Sequence, residues 1–238
     1  MWAGFEMGMA RASGQVLRRW LSPAQCAQME AVLALVETDE QAPTAVRDFE
    51  AALRKHALDS LVALDLEFIG EARKISDLGS GTGFPGIALA VALPEAEVAL
   101  VESQRRKCEF LLRLCAAGGV ENARVVCERA EGWSAGLGAS DVVLARALAA
   151  QAVVLEYAAP LLHEGGRLVD WRGRRDPPAE RTADRAAAML GLRRVEVRAV
   201  SPFVEATDRH LHVFVKLEAT PGRFPRRPGV ALKRPLGG

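Results

Sequence analysis

The stretch ISDLGSGTGFPG, residues 75–86, concentrates the chemistry of this chain: an acid, Asp77, followed by Gly79, Gly81, Gly83 and Gly86. Glycines allow φ > 0 and let a ligand lie against bare main chain. Ile75 and Leu78 mark the end of a buried strand, and Ile87–Leu93 reads as an apolar helix stopped by Pro94. Strand, glycine loop and helix form the opening unit of a doubly wound α/β sheet, and the free N–H groups at the helix start face the ligand. A dinucleotide fingerprint needs a third glycine or an alanine three residues after the second, and Phe84 stands there instead. An acid just before the loop would also repel a diphosphate. It would attract an ammonium group.

Acid-x-Gly-x-Gly-x-Gly at the end of a first strand resembles motif I of the class I methyltransferases, whose ligand, S-adenosyl-L-methionine, lacks phosphate and carries an amino group and a sulfonium. Glu102 ends the next apolar stretch, EVALVE at 97–102. A carboxylate at the end of the second strand accepts hydrogen bonds from ribose hydroxyls in such folds. An exposed strand-end acid is the plainer alternative.

The 238 residues suit one ordinary domain with an extension, and a 50% hydrophobic content is enough for a full core. A net charge of +1 means that any nucleic-acid surface must be a local patch. Cys26, Cys108, Cys115 and Cys127 contain no C-x-x-C pair, so reduced, mostly buried thiols in a cytoplasmic protein are expected rather than zinc or disulfides. No apolar run is long enough to span a membrane, and Met1–Gly14 reads as a loose tail rather than a secretory signal.

The elements around the loop follow from periodicity. Ser22-Pro23-Ala24-Gln25 is a helix start with a capping box, and the helix should run to about Val36. A second helix is expected from Thr44 to Leu64, with Val46, Phe49, Leu53, Ala57, Leu61 and Leu64 on one face. His56, Asp59 and Ser60 share a neighbouring face and could form a cluster that ties this helix to the main domain. Further on come a helix at 104–118, a strand at 123–127, a strand at 141–145, a helix at 149–162, a strand at 167–171, a helix from Pro177 to about Leu190 and strands at 193–200 and 210–217. Strands interleaved with helices argue for a mostly parallel sheet whose late pair makes an antiparallel edge. The expected division is 1–66 as tail and helical extension, 67–219 as the main α/β domain, and 220–238 as a basic, acid-free tail.

With these pieces placed, the chain resembles the bacterial RsmG (GidB) family, methyltransferases acting on guanine N7 of 16S ribosomal RNA. The resembling pieces are KHALDSL (55–61), DLGSGTGFPGIALA (77–90), ES followed by RKCEFL (102–111), RAE (129–131), ARALA (145–149), RHL (209–211) and FPRRPGVALKRPL (224–236). The resemblance implies a Rossmann-like fold with a small N-terminal helical extension, S-adenosyl-L-methionine as cofactor, and 16S RNA or the small ribosomal subunit as partner. It implies that Gly79 and Phe84 lie against the cofactor, that Ala130 and Glu131 flank its adenine, and that Arg146 sits where cofactor and substrate meet. The chain departs from the family pattern at Ala42-Pro43-Thr44, Ala150-Gln151 and Arg172-Gly173.

Guanine N7 has an in-plane lone pair and no proton, so methyl transfer to it needs alignment rather than a general base. No Asn/Asp-Pro-Pro-aromatic block of the adenine-N6 enzymes follows the fourth strand, and Cys127 sits by the third strand, not where a cytosine-C5 nucleophile would stand. Arg146 could hydrogen-bond a guanine edge, orient the cofactor carboxylate, or simply pair with Glu131 or Asp77. Arg172, Arg174, Arg175, Arg226, Arg227 and Lys233 are the candidate RNA contacts; the alternative for the last three is a solvated tail wrapped on the core. A small-molecule methyltransferase and a non-catalytic ribosome-binding module are the competing readings. A monomer in the cytoplasm is expected.

Overall fold

The structure, a computed structural model, describes residues 15–238. The loose tail expected over Met1–Gly14 lies outside them. Seven strands form one sheet: β1 (Lys74–Leu78), β2 (Glu97–Val101), β3 (Ala123–Val126), β4 (Ser140–Arg146), β5 (Leu162–Arg172), β6 (Leu192–Ala199) and β7 (His210–Lys216). Their order across the sheet is β3-β2-β1-β4-β5-β7-β6. β1 to β5 run parallel, and β7 is antiparallel to both β5 and β6. The chain leaves β1 towards β2 and β3, then returns to the other side of β1 as β4. That reversal opens a crevice at the carboxyl ends of β1 and β4, the place where open α/β sheets bind ligands.

Side chains alternate between two cores, as the two-residue period of a strand requires. Ile75, Val98, Leu100, Val142 and Leu144 face one layer; Leu78, Ala99, Val101, Val143 and Ala145 face the other. The first layer holds helices α1 (Pro23–Thr38), α2 (residues 49–65), α3 (Glu67–Glu71), α4 (Gly86–Ala92) and α5 (Arg105–Gly118). The second holds α6 (Gln151–Ala158), α7 (Pro177–Met189) and the short α8 (Val230–Lys233). The capping box of α1 is present: the Ser22 hydroxyl accepts from the Gln25 amide, and the Gln25 side chain accepts from the Ser22 amide. No helix of the described residues is long and apolar enough to cross a membrane.

Several boundaries differ from the periodicity. The second helix begins at Phe49, not Thr44, because the Asp48 carboxylate caps it by accepting from the Ala51 amide at 2.8 Å. Its turn Leu53–Leu58 is wound as a π-helix, a device concentrated at functional sites. The helix expected at 149–162 ends at Ala158 and the strand expected at 167–171 begins already at Leu162, so Gly165 and Gly166 lie within β5, where a Cβ on Gly166 would stand 2.9 Å from the Ser140 carbonyl oxygen. The thiol expectation is corrected at one pair. Cys108 and Cys127 form a disulfide with Cα atoms 5.8 Å apart, while Cys26 and Cys115 stay reduced. Sequence spacing hid the pair because the two residues meet only when β3 lies beside the first turn of α5. The segment 220–238 is no free tail: Phe224 and Ala231 are buried in the second core.

Candidate active site

Two hollows meet at the carboxyl edge of the sheet. The larger, of about 740 Å³, lies between the glycine loop, α2 and the ends of β4, β5 and β7; Lys55, His56, Asp59, Phe84, Arg146 and Arg209 are among the residues that line it. The smaller, of about 300 Å³, lies over the ends of β2 and β3 and is lined by Glu102, Arg129, Ala130, Glu131, Leu148 and Leu232, among others. Gly79, Lys107 and Ala147 border both. Ala147 has φ of 53°, a left-handed conformation that costs an alanine about 1–2 kcal/mol. The only other such non-glycine among the described residues is Asp208.

The glycine loop forms the neck between the hollows. Gly79, Gly81 and Gly83 all have positive φ, at 66°, 52° and 93°. A Cβ on Gly79 would stand 2.5 Å from Leu148 Cδ1, and one on Gly83 would stand 2.5 Å from Leu114 Cδ2. The loop can therefore take side chains neither on its packed side nor in its backbone conformation. Glu102 is buried at the end of β2. One of its carboxylate oxygens accepts from the Gly81 amide at 3.2 Å and the other from the Gln104 amide at 2.9 Å, so its acceptor edge is fixed at the mouth of the smaller hollow.

Asp77 stands elsewhere than the sequence suggested. Its carboxylate is 1% exposed and borders neither hollow; it lies under the loop and accepts from the Gly86 amide at 3.1 Å. A Cβ on Gly86 would stand 2.7 Å from Asp77 Oδ2, so the glycine is what admits the carboxylate. Burial pushes the Asp77 pKa up to about 7, against the opposing pull of the Gly86 amide. The residue braces the loop from behind instead of presenting a charge to a ligand.

Arg146, at the end of β4, reaches across the larger hollow to α2. It donates to Asp59 Oδ2 at 2.9 Å and to the Lys55 carbonyl at 3.1 Å, and its other nitrogen stands 3.5 Å from His56 Nδ1. Neither Glu131 nor Asp77 is its partner. Of the expected trio, His56 and Asp59 tie α2 to the sheet, helped by a 2.8 Å bond from the Trp171 indole to the Asp59 carbonyl, whereas the Ser60 hydroxyl donates back to the His56 carbonyl within α2. The His56 ring stacks on Phe84 with centroids 5.2 Å apart. Burial, and then the Arg146 charge, hold its pKa down to about 4, so the ring is neutral at pH 7. Asp59 Oδ1 is buried without a hydrogen bond, with Arg209 Nε at 3.4 Å as its ion-pair neighbour. A buried acceptor left over in a cavity wall is unusual enough to need a partner.

Ala130 and Glu131 border the smaller hollow as expected, but the Glu131 carboxylate is engaged with the C-terminal segment: it accepts from the Gly229 amide at 3.1 Å. It also helps raise the Tyr157 pKa to about 12, after burial. The basic candidates divide. Arg172 borders the larger hollow while donating to the buried Asp170 at 2.7 Å. Arg174 pairs with Asp208 at 3.4 Å on the surface. Arg175 holds Glu180 through two bonds of 2.5 and 2.6 Å. Arg226 is a structural residue, a correction to its reading as an RNA contact: it grips the buried Glu156 with both arms and pins the C-terminal segment to α6. Arg227 and Lys233 remain exposed. Periodicity did not single out Lys55, Arg209, Tyr157 or Leu232 as site residues. Lys55, Arg209 and Leu232 were visible only inside the resembling pieces KHALDSL, RHL and FPRRPGVALKRPL; nothing local marked Tyr157.

The residues fit a nucleoside-bearing ligand in the smaller hollow, with the Glu102 carboxylate for ribose hydroxyls and main chain at 129–131 for a base edge. They fit a second, anionic molecule in the larger one, where Lys55, Lys107, Arg146, Arg172 and Arg209 outnumber the single carboxylate of Asp59.

In backbone, the chain is similar to a variant of a 16S rRNA (adenine(1408)-N(1))-methyltransferase from Catenulisporales acidiphilia (TM-score 0.53, 18% identity, covering 66% of this chain and 92% of that one). It is likewise similar to a SAM-dependent O-methyltransferase from Thermotoga maritima (TM-score 0.52, 15% identity, 68% of this chain and 66% of that one). At these identities the likeness shows the class I methyltransferase fold. In sequence, it is 40% identical over 198 residues to the ribosomal RNA small subunit methyltransferase G of Rubrobacter xylanophilus, covering 81% of this chain and 76% of the relative. It is 39% identical over 224 residues to that of Chloroflexus aggregans, covering 91% and 92%. Residues 25–212, which hold the glycine loop, the larger hollow and the Arg146–Asp59 tie, match the family described as GidB, rRNA small subunit methyltransferase G, and the chain belongs to that family.

Proposed function

We propose that this protein transfers a methyl group from S-adenosyl-L-methionine to N7 of a guanine in 16S ribosomal RNA, in the bacterial cytoplasm and as a monomer. The cofactor supplies an electrophilic methyl group on a sulfonium. Glu102 would hold its ribose, the main chain at Ala130 and Glu131 its adenine, and the bare loop at Gly79 and Gly81 its amino-acid portion. Ala147 and Gly79 form the neck through which the methyl group faces the larger hollow.

The observation that favours guanine is Asp59 Oδ1, buried in the wall of that hollow without a hydrogen bond. A carboxylate there suits the N1–H and N2–H donors of guanine, and a base held by that edge presents N7 on its far side. Arg146 fixes Asp59 in place through the 2.9 Å bond to Oδ2. N7 has no proton to lose, so the reaction requires alignment of the acceptor and no base. A neutral His56 stacked on Phe84 agrees with that: it shapes the wall and exchanges no proton at pH 7. The test is to incubate the protein with 16S RNA, or with small subunits, and the cofactor, then to map N7-methylguanine by borohydride–aniline cleavage. Methyl incorporation at another atom would overturn the guanine-N7 reading. Incorporation into a metabolite pool alone would favour the small-molecule alternative.

A further inference from the structure

We infer that a hollow beside the acceptor cavity is a second RNA subsite, which takes the nucleotide next to the methylated base; this rests on the RNA reading above. The hollow, of about 470 Å³, lies between α2 and the loop that joins β6 to β7. Lys55 and Arg209 line it and the acceptor cavity alike, so a strand leaving one hollow enters the other past two cations. Arg54 and Phe203 form the rest of its binding wall.

The loop is built to stay in place. Its base is closed by the Val200 amide donating to the Arg209 carbonyl at 2.9 Å, and a turn within it by the Ala206 amide donating to the Phe203 carbonyl at 3.0 Å. Arg198, at the end of β6, donates to the Asp65 carbonyl at 2.6 Å and anchors the hairpin to the end of α2. Phe203 is half-buried, packed on the first core, yet it also borders the hollow. Val204 beside it is 97% exposed. An aromatic face framed by cations is the usual platform for an unstacked base, since every base has a π-face and each flanking phosphate carries a charge. Arg54 is ion-paired with Glu50 at 3.5 Å, but the pair is partly exposed and such surface pairs are weak, so its guanidinium can turn to a phosphate. Glu205, also on the wall, would repel a phosphate and accept from a base's exocyclic amine, which places the base on the loop side and the backbone on the α2 side.

The test uses two variants of the full chain, Phe203→Leu, which keeps the apolar packing and removes the flat ring, and Arg54→Gln. Methyl transfer to 16S RNA is measured as kcat and KM, and RNA binding as a function of salt. For Phe203→Leu, KM should rise roughly tenfold with kcat little changed, the effect of losing one stacked base. For Arg54→Gln, the slope of log affinity against log salt should shrink by about one phosphate contact. Melting with S-adenosylhomocysteine should show the same stabilisation as in the wild type. Wild-type KM and salt slope in both variants would overturn the subsite, as would equal losses in cofactor-induced stabilisation, which mark a general structural defect. Failure of the wild-type chain to methylate RNA at all would instead overturn the functional reading itself.

Discussion

Arg146 Nη1 stands 2.9 Å from Asp59 Oδ2, and with that bond the end of β4 holds the π-turn of α2 over the carboxyl edge of the sheet. The two residues come from opposite ends of the site, and both are mostly buried. Such a pair contributes modestly as a whole, but loss of one partner leaves a buried charge without its counterpart.

Asp59→Asn and Arg146→Gln should therefore each lose about 3 kcal/mol of stability in denaturant melts. Methyl transfer should fall roughly a hundredfold, because the acceptor wall shifts relative to the neck. Binding of S-adenosylhomocysteine, measured by calorimetry, should change little, since the smaller hollow does not contain either residue. Equal loss of cofactor affinity would show that the two hollows are not separable.

Gly79→Ala should weaken cofactor binding. The residue sits at φ 66°, which costs an alanine about 1–2 kcal/mol, and the new Cβ would press on Leu148. Leu148 can swing aside, so the backbone strain is the part that persists. Calorimetry should show at least a tenfold loss of affinity, on the order of 1.4 kcal/mol. Unchanged affinity would mean that the loop does not contact the cofactor.

His56 makes a pH prediction. Its folded pKa of about 4 lies below the unfolded value of 6.5, so between those values the unfolded chain binds the extra proton. Its contribution is fully present above pH 6.5 and is lost as pH falls towards 4. His56→Gln removes this term, by up to roughly 3 kcal/mol across the window. Denaturant melts of both proteins at pH 4.5 and 7.5 should show the wild type losing more stability on acidification. Parallel losses would contradict a neutral, buried ring. Asp77 and Asp170, whose pKa values are raised by burial, tilt the curve the other way in both proteins and cancel in the difference.

The Cys108–Cys127 bond closes a loop of 19 residues, for which restriction of the unfolded chain is worth about 3 kcal/mol. Mass spectrometry of the unreduced protein should find the linked peptides. Reduction, or Cys127→Ser, should lower stability by about that amount. Two free thiols under non-reducing conditions would refute the bond.

The sheet was legible because each strand ends in a recognisable punctuation: Asp77 before glycines, Glu102 before a basic helix start, Arg146 after an apolar run. The loop's packing role was only half legible. Glycine spacing announced a bare turn, but it could not show that Gly86 makes room for Asp77, because that depends on how tightly α4 sits on β1. The charge clusters misled for a similar reason. Arg175 and Arg226 looked like surface cations, whereas Glu180 and Glu156, far from them or on another element, hold them in place. A lone residue such as Tyr157 carries no signal until the C-terminal segment folds back, and Leu232 carries none outside the resembling piece that contains it.

That folding back has a consequence for synthesis. Leu232 walls the smaller hollow, proposed above to hold the cofactor, and the Gly229 amide donates to Glu131 beside it. A ribosome making this chain produces the glycine loop long before either residue emerges. The nascent enzyme should therefore hold its methyl donor loosely until position 232 clears the exit tunnel, and gain full affinity only then.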